Sequence, residues 1–489
     1  MSNYGTHTND EFDVVLAYPA ERNNLFDQML PLGLASIAAV AEQHDYRVKI
    51  LDFQFYKNDF QHDLLRWNPK IIGIGGTTPT RKESFRIANA AKNVLPEVPV
   101  VYGGVHATFT AEDTLRHVSS IDYVVQGEGE YTFLSLCHKF VRNTNLDLTT
   151  LNGLAFRSDE TIISNAPERI DDLDALPMPA RHLFENDYKM SIDFLGLDAD
   201  FLMTSRGCPV MCTFCSASRM FPGGVRLRSM KLVQEELEYV LSRKPIRALK
   251  IFDSTFTANR EHVLEFCAMI KPYNLLWECE VRADTVDREL LAIMKDAGCF
   301  YVDIGMETSN ERLLKSIAKK ITVPQVENVL RWCRELGIRT KLFFIYGHLG
   351  ETYEECKNDM TYVKKHRKEI NVFANSVGLR VYPGTSLEKR MKSAGMLPAK
   401  FSWAQFTRPK RNLLLMEMGD VLILEQQHLS IIRLLGISLR LDLQLTNLST
   451  EYVRRFFVNL VKTLYRSTVQ PLRWVRQTAV RSFSTIRVF

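Results

Sequence analysis

Hydrophobic and polar positions along the first 145 residues keep switching between two periods. Phe12-Asp-Val-Val-Leu-Ala17 is a short apolar run that reads as a buried strand, and Pro31 to Gln43 carries apolar residues at helical spacing. Arg47–Asp52 and Ile71–Ile74 read as the next strands, followed by a helix over Arg81–Leu95 and a strand over Val98–Tyr102. A helix after Glu112 and a strand at Tyr123–Val125 complete the series. Strands alternating with helices at this spacing predict parallel pairing through right-handed crossovers, hence a doubly wound α/β sheet over residues 11–145. Residues 146–195 read as a connection, with Pro167, Pro177 and Pro179 among acids and a hairpin across Gly153–Ser164. Alternation resumes over 196–395 with strands at Leu202–Thr204, Ala248–Phe252, Glu278–Val281, Tyr301–Ile304, Lys341–Tyr346 and Ser376–Val381. Helices begin near Lys231, Glu261, Arg288, Val323 and Tyr353 between them, and six such repeats predict an open, partial barrel. From 396 to 489 the strand signal stops and helical spacing with basic residues predominates.

Glycines punctuate the carboxyl ends of the first set of strands: Gly75-Gly76, Gly103-Gly104, Gly127 and Gly129. One pair alone would be read as a tight strand-to-helix turn. Three clusters on one sheet edge point instead to a ligand crevice, which doubly wound sheets place there. The 489 residues carry 46% hydrophobic and 24% charged side chains, as a multidomain globular protein does. No polar-flanked apolar leader is visible at the N-terminus and no run of about 18 apolar residues could span a bilayer. Net charge is +5, but residues 451–489 hold eight Lys/Arg against Glu451 alone, which makes that stretch +7 and leaves about −2 for the rest. The bulk of the chain therefore lacks the electrostatics of a nucleic-acid binder. Glu451–Arg466 has apolar residues at helical spacing. Its simplest reading is a packed helix with a solvated basic face, and its functional alternative is a helix lying on an anionic membrane surface.

Nine cysteines occur, six of them singly in apolar or helical contexts, which is a reducing-compartment pattern and predicts a cytoplasmic protein. The other three form Cys208-Pro-Val-Met-Cys212-Thr-Phe-Cys215. Three thiolates this close on one loop can reach three irons of a 4Fe–4S cube and leave the fourth iron open. The rivals are a zinc site and inert buried thiols. Structural zinc takes four closed ligands, and no second Cys pair or His lies near in sequence.

A Cys-x-x-x-Cys-x-x-Cys loop after a first strand, within about six β/α repeats and with Phe214 before its third cysteine, resembles the radical S-adenosylmethionine (SAM) superfamily. The resemblance implies that the open iron chelates SAM and that reduction cleaves SAM to a 5′-deoxyadenosyl radical. It further implies that Glu307 and Ser309 of Ile304–Ser309 contact SAM, and that Arg282 meets the SAM carboxylate through a charge-assisted, forked hydrogen bond. Asp253, in Phe252–Phe256, matches an Asp-containing strand end of the family. Tyr346–Thr352 resembles its Gly-x-Pro-Gly-Glu-Thr turn, with Leu349 in place of proline, and Tyr382–Thr385 matches a turn late in the barrel. Each has a plain alternative: Asp253 or Glu307 near a helix start as a cap, and Arg282 as a surface ion pair.

A doubly wound domain directly before such a barrel resembles the cobalamin-binding subgroup, through Pro31–Leu34, Val48–Asp52, Gly103–Thr108 and Gly127–Glu130. Gly75, Gly76, Gly103 and Gly104 would let the corrin or its tail approach the backbone. The Asp-x-His-x-x-Gly motif that supplies a lower cobalt ligand is absent. His106 is a candidate in its place, although a histidine in a glycine-rich turn more often bonds backbone or phosphate. The resemblance implies methyl transfer to an unactivated carbon, with a porphyrin-cyclase-like ring closure as the alternative and a degenerate scaffold as the non-enzymatic one. It also implies an electron donor such as flavodoxin or ferredoxin and a small-molecule or lipid-like substrate, with no nucleic acid.

Overall fold

The computed structural model describes residues 11–20, 30–184, 188, 190–191 and 197–376, most of 378–405, the strand pair 415–418 and 421–424, and scattered positions up to 437. Residues up to Leu434 make one compact unit, and 435–489 make a second. The basic stretch 451–489 with its expected helix lies outside the described residues.

The first sheet is built from β1 (Val14–Tyr18), α1 (Leu32–Gln43), β2 (Val48–Asp52), α2 (Phe60–Trp67), β3 (Ile71–Ile74), α3 (Arg81–Val94), β4 (Val100–Tyr102), α4 (Val105–His117), β5 (Tyr123–Val125) and α5 (Glu130–Val141). The five strands pair in parallel in the order β2-β1-β3-β4-β5, the doubly wound arrangement with its switch point between β1 and β3. The strands bury near-continuous apolar runs because helices cover both faces. Helix α4 begins at Val105, well before Glu112, because Gly104 (φ +99°) turns the chain directly out of β4. The segment read as a connection adds β6 (Leu154–Ser158) and β7 (Thr161–Ser164), an antiparallel extension on β5. It then supplies β8 (Met190–Ser191) to the edge of the second sheet.

That second sheet uses β9 (Asp198–Leu202), then a ribbon of β10 (Ser205–Arg206) and β11 (Arg226–Leu227) flanking α6 (Ala217–Met220), then α7 (Met230–Arg243) and β12 (Ala248–Ile251). It continues through α8 (Arg260–Ile270), β13 (Leu276–Val281), α9 (Arg288–Asp296), β14 (Cys299–Glu307), α10 (Glu311–Ser316), α11 (Val323–Leu336), β15 (Arg339–Ile345), α12 (Tyr353–Lys365) and β16 (Val372–Ser376). The order β16-β15-β14-β13-β12-β9-β8 is open at both ends, with six parallel strands and antiparallel β8. It is the partial (β/α)6 barrel that the repeat count predicted.

Beyond it lie β17 (Arg380–Val381), α13 (Ser386–Ser393), β18 (Leu415–Met418) and β19 (Val421–Leu424). The last two pair antiparallel, and β19 also pairs with β17, so this part of 396–489 is sheet where helix was expected. Gly419-Asp420 between two apolar runs is a two-residue hairpin signal that helical spacing obscured. No described helix is long and apolar enough to cross a membrane.

Candidate active site

The cysteine loop runs from the end of β10 to the start of β11, and Arg206 and Arg226 face each other across its base. Gly207 opens the loop at φ +105°, where a Cβ would meet the carbonyl oxygen of Gly224 at 2.3 Å, so only glycine fits. The loop is tied to the barrel by Thr213 N–H donating to Ile317 O at 2.9 Å and Leu387 N–H donating to Thr213 O at 2.8 Å. Cys212 is buried while Cys208 and Cys215 are half-buried, and all three are free thiols. Cys215 Sγ accepts the Ala217 N–H at 3.5 Å, and Cys208 Sγ lies 3.4 Å from Thr255 Oγ1. Burial pushes the Cys212 thiol up to about 11; the cations of Lys319 and Arg282 pull it back, and the neighbouring Cys215 thiol raises it. Among the described residues, no three His, Cys, Asp or Glu side chains gather closely enough to share one metal ion.

Beside the loop stand the ends of β13 and β14. Glu307 ends β14 at a bulge and at φ +70°, a strained conformation for a residue with a Cβ. Its carboxylate receives Lys319 Nζ at 2.7 Å. Lys319 sits between Ala318 (φ +55°) and Lys320 (φ +57°), two further left-handed residues, so the chain is bent sharply to carry that ammonium inward. Arg282 Nη2 donates to Asp284 Oδ2 and to the Lys319 carbonyl, both at 2.9 Å, while its buried Nε has no hydrogen-bond partner among the described residues. Arg282, Lys319 and Glu307 therefore form one connected charged edge facing the cysteines. Lys319 was not among the residues singled out, because a Lys-Lys pair before a helix reads as solvated surface. Its buried position comes from the two positive-φ neighbours.

Other expected contacts are committed elsewhere. Asp253 is buried, and its carboxylate accepts Thr204 N–H (2.7 Å), Ser205 N–H (3.2 Å), Thr204 Oγ1 (2.6 Å) and Ser205 Oγ (2.7 Å). Neither a helix cap nor an open ligand contact, it braces the turn that leads into the cysteine loop. Ser309 donates its N–H to Asp359 Oδ1 at 2.7 Å and its hydroxyl to the same oxygen, so it anchors the β14 end to α12. Burial lifts the Asp359 carboxyl to about 6, against the hydrogen bonds from Ser309 and Thr308. Phe214 packs into the apolar cluster under β17 and α13, its ring 6.5 Å from that of His348.

A second element of the site is a cavity of about 310 Å³ at the carboxyl edge of the first sheet. Gly75, Gly76, Gly103, Gly104, Gly127 and Gly129 line it. A Cβ on Gly103 would have nothing nearer than 3.9 Å, so bare backbone is presented to space there. Gly104 is glycine for another reason: a Cβ would strike Gly76 O at 2.6 Å. His106 does not line the cavity. It is fully buried behind it, with Nδ1 3.0 Å from Thr78 Oγ1 and its ring edge-on to Trp403, and burial together with Arg81 pushes its pKa well down. The candidate cobalt-facing role for His106 is therefore set aside. The opposite wall comes from the barrel: Met203, Arg206, Met220, Phe221, Arg228 and Glu236.

Residues 202–363 match the family model of the radical SAM superfamily, and residues 23–136 match the B12 binding domain. A methyltransferase of Pyrococcus horikoshii, its own activity uncharacterized, is 33% identical over 384 residues, covering 77% of this chain and 81% of that protein. The chain belongs to the radical SAM superfamily. This radical SAM protein is also 27% identical over 393 residues to the cytidylyl-2-hydroxyethylphosphonate methyltransferase of Streptomyces wedmorensis, covering 68% of this chain and 73% of that one. An anaerobic magnesium-protoporphyrin IX monomethyl ester cyclase of Synechocystis is 30% identical over 322 residues, covering 64% and 63%. In fold it matches the radical SAM methyltransferase TsrM from Kitasatospora setae, solved with cobalamin and a 4Fe–4S cluster, with a TM-score of 0.68 over 89% of each chain at 19% identity.

The residues fit the family's groups. Three free thiols on one short loop suit a cluster with an open iron, and Arg282 Nε, buried and without a hydrogen-bond partner among the described residues, suits the carboxylate of SAM. A glycine-lined, largely apolar cavity suits the broad face of a corrin.

Proposed function

We propose that this protein is a cobalamin-dependent radical SAM methylase that transfers a methyl group to an unactivated carbon of a small molecule. The observation carrying this reading is that the cavity is walled on one side by the B12-type sheet edge and on the other by the elements flanking the cysteine loop. When bound, the cluster supplies the electron that cleaves SAM and the corrin supplies the transferable methyl group. Cys208, Cys212 and Cys215 hold the cluster. Arg282 and Lys319 present cations to the carboxylate of SAM, and Glu307 accepts from its ammonium, so a zwitterion is held by charges of opposite sign a few ångströms apart. The bulge at Glu307 fixes one side of that cleft. Gly75, Gly76, Gly103 and Gly104 accept the corrin edge, and a reductant of the flavodoxin or ferredoxin class supplies electrons.

Cyclisation without methyl transfer is the second reading, favoured by the cyclase relatives. One experiment separates them. The anaerobically reconstituted chain, reduced and given cobalamin and methyl-labelled SAM, is expected to form S-adenosylhomocysteine with the label eluting on the corrin. Cleavage of SAM to 5′-deoxyadenosine with no label on the corrin would leave the cyclisation reading.

A further inference from the structure

Four charged side chains join the two halves of the site, and none of them belongs to the cluster or SAM edge. Glu128 and Glu130 lie in the turn Gly127-Glu128-Gly129-Glu130, all four of which line the cavity. Arg206 Nη1 donates to Glu128 Oε1 at 2.7 Å, and its Nη2 donates to Glu130 Oε1 at 2.7 Å and to Ser36 Oγ at 3.3 Å. Arg226 Nη1 donates to the other Glu128 oxygen at 2.6 Å. Glu128 Oε2 also accepts the Ile170 N–H at 3.2 Å. Arg206 and Arg226 are the strand partners at the base of the cysteine loop, so both feet of that loop are pinned to one carboxylate of the cavity wall.

The pairs are buried: Glu128, Glu130 and Arg226 side chains are 3%, 5% and 4% exposed and Arg206 15%. Burial alone would raise the Glu130 carboxyl; the charge and hydrogen bonds of Arg206, with the Ser36 hydroxyl, outweigh it and hold it low. Buried ion pairs seldom stabilise a fold more than apolar packing of the same volume, and Arg226 Nε and Nη2 are buried without hydrogen-bond partners among the described residues, an added cost. What such a network supplies is fixed geometry: a planar fork reaching two carboxylates defines both distance and orientation.

We propose that Glu128, Glu130, Arg206 and Arg226 are positioning residues that set the spacing between the cluster loop and the corrin cavity. This rests on the proposed cobalamin site. Arg206 is the hinge of the device, because it alone contacts both acids of the turn and lies two residues before Cys208.

The test uses the full chain carrying reconstituted cluster and cob(II)alamin, with iron and corrin counted per chain. Pulsed EPR then reads the dipolar interaction between the reduced cluster and cob(II)alamin. R206K keeps the charge but a single ammonium cannot span both carboxylates; E128Q removes the shared anion and serves if R206K is poorly soluble. Read from chains that hold both groups, the distance distribution is expected to shift and broaden in both variants. Restoring arginine at 206 in the same preparation protocol returns the narrow distribution. Parental dipolar spectra from the variants would overturn the inference and leave the cobalamin reading intact. A parent chain that retains no corrin would overturn both.

Discussion

Two carboxyl edges meet at this site and are made of opposite materials. The edge of the first sheet is glycine and aliphatic side chains around a cavity, and the charges of its Glu128 and Glu130 are locked in a network with Arg206. The edge of the barrel is thiols, a guanidinium nitrogen with no partner among the described residues, a half-buried ammonium and a strained carboxylate. Both are the ligand-binding ends of parallel sheets, so topology does not distinguish them. Side-chain chemistry does. A glycine edge gives area and close backbone approach to a broad group, whereas a charged edge gives orientation to a small zwitterion. The contrast predicts that the two edges can be broken separately.

The largest effect is expected from C212A, which removes the buried thiol ligand. SAM cleavage should fall to background and iron per chain should drop, while the far-ultraviolet circular dichroism and corrin retention persist. Loss of corrin as well would mean that the two edges are not independent. Next is K319M, which leaves Glu307 without its buried cation; breaking such a pair costs about 3–5 kcal/mol. SAM affinity should fall steeply by isothermal titration, with corrin retention at the parental level. On the other edge, G103L fills space without backbone strain, since nothing lies within 3.9 Å of its Cβ. Overpacking a cofactor cavity by about 1–3 kcal/mol should weaken corrin retention roughly 10- to 100-fold after desalting. The cluster signal should be unchanged.

The smallest effect concerns Asp359, which ties Ser309 and Thr308 at the end of β14. Its folded pKa is raised to about 6 by burial. The unfolded chain gives up that proton at lower pH than the folded one, so the stabilisation it contributes is full below about pH 4 and is lost as pH rises through about 6. Thermal unfolding of the parent should show that decline, of the order of 1–3 kcal/mol, and D359N should flatten it.

Much of this was legible along the chain because it is written locally. Strand and helix periods located most strands of both sheets, although α2 and α5 were not anticipated and the first and last barrel strands lie at Asp198–Leu202 and Val372–Ser376, each sharing one residue with its expected span; the cysteine spacing marked its loop and the glycine clusters marked the cavity edge. What escaped depended on partners far away in sequence. Lys319 turns inward because two neighbours adopt positive φ, which no composition reveals. Asp253 and Ser309 were expected to contact SAM, yet their lone pairs and protons are spent on Thr204, Ser205 and Asp359. His106 was a candidate cobalt ligand in a glycine-rich turn, but Gly104 starts α4 immediately and buries the ring against Thr78 and Trp403. The segment after 145 looked like a tether because its prolines dominate, while its hairpin completes the first sheet.

The central claim is that one chain carries a charged edge for SAM beside a cavity for a corrin. Its most direct test is anaerobic reconstitution with iron, sulfide and hydroxocobalamin, followed by desalting and a combined absorbance and EPR count of both groups per chain. The account predicts one 4Fe–4S cluster and one corrin retained together, the corrin lost in G103L and the cluster lost in C212A. A chain that holds the cluster and cleaves SAM while retaining no corrin at any added concentration would contradict it.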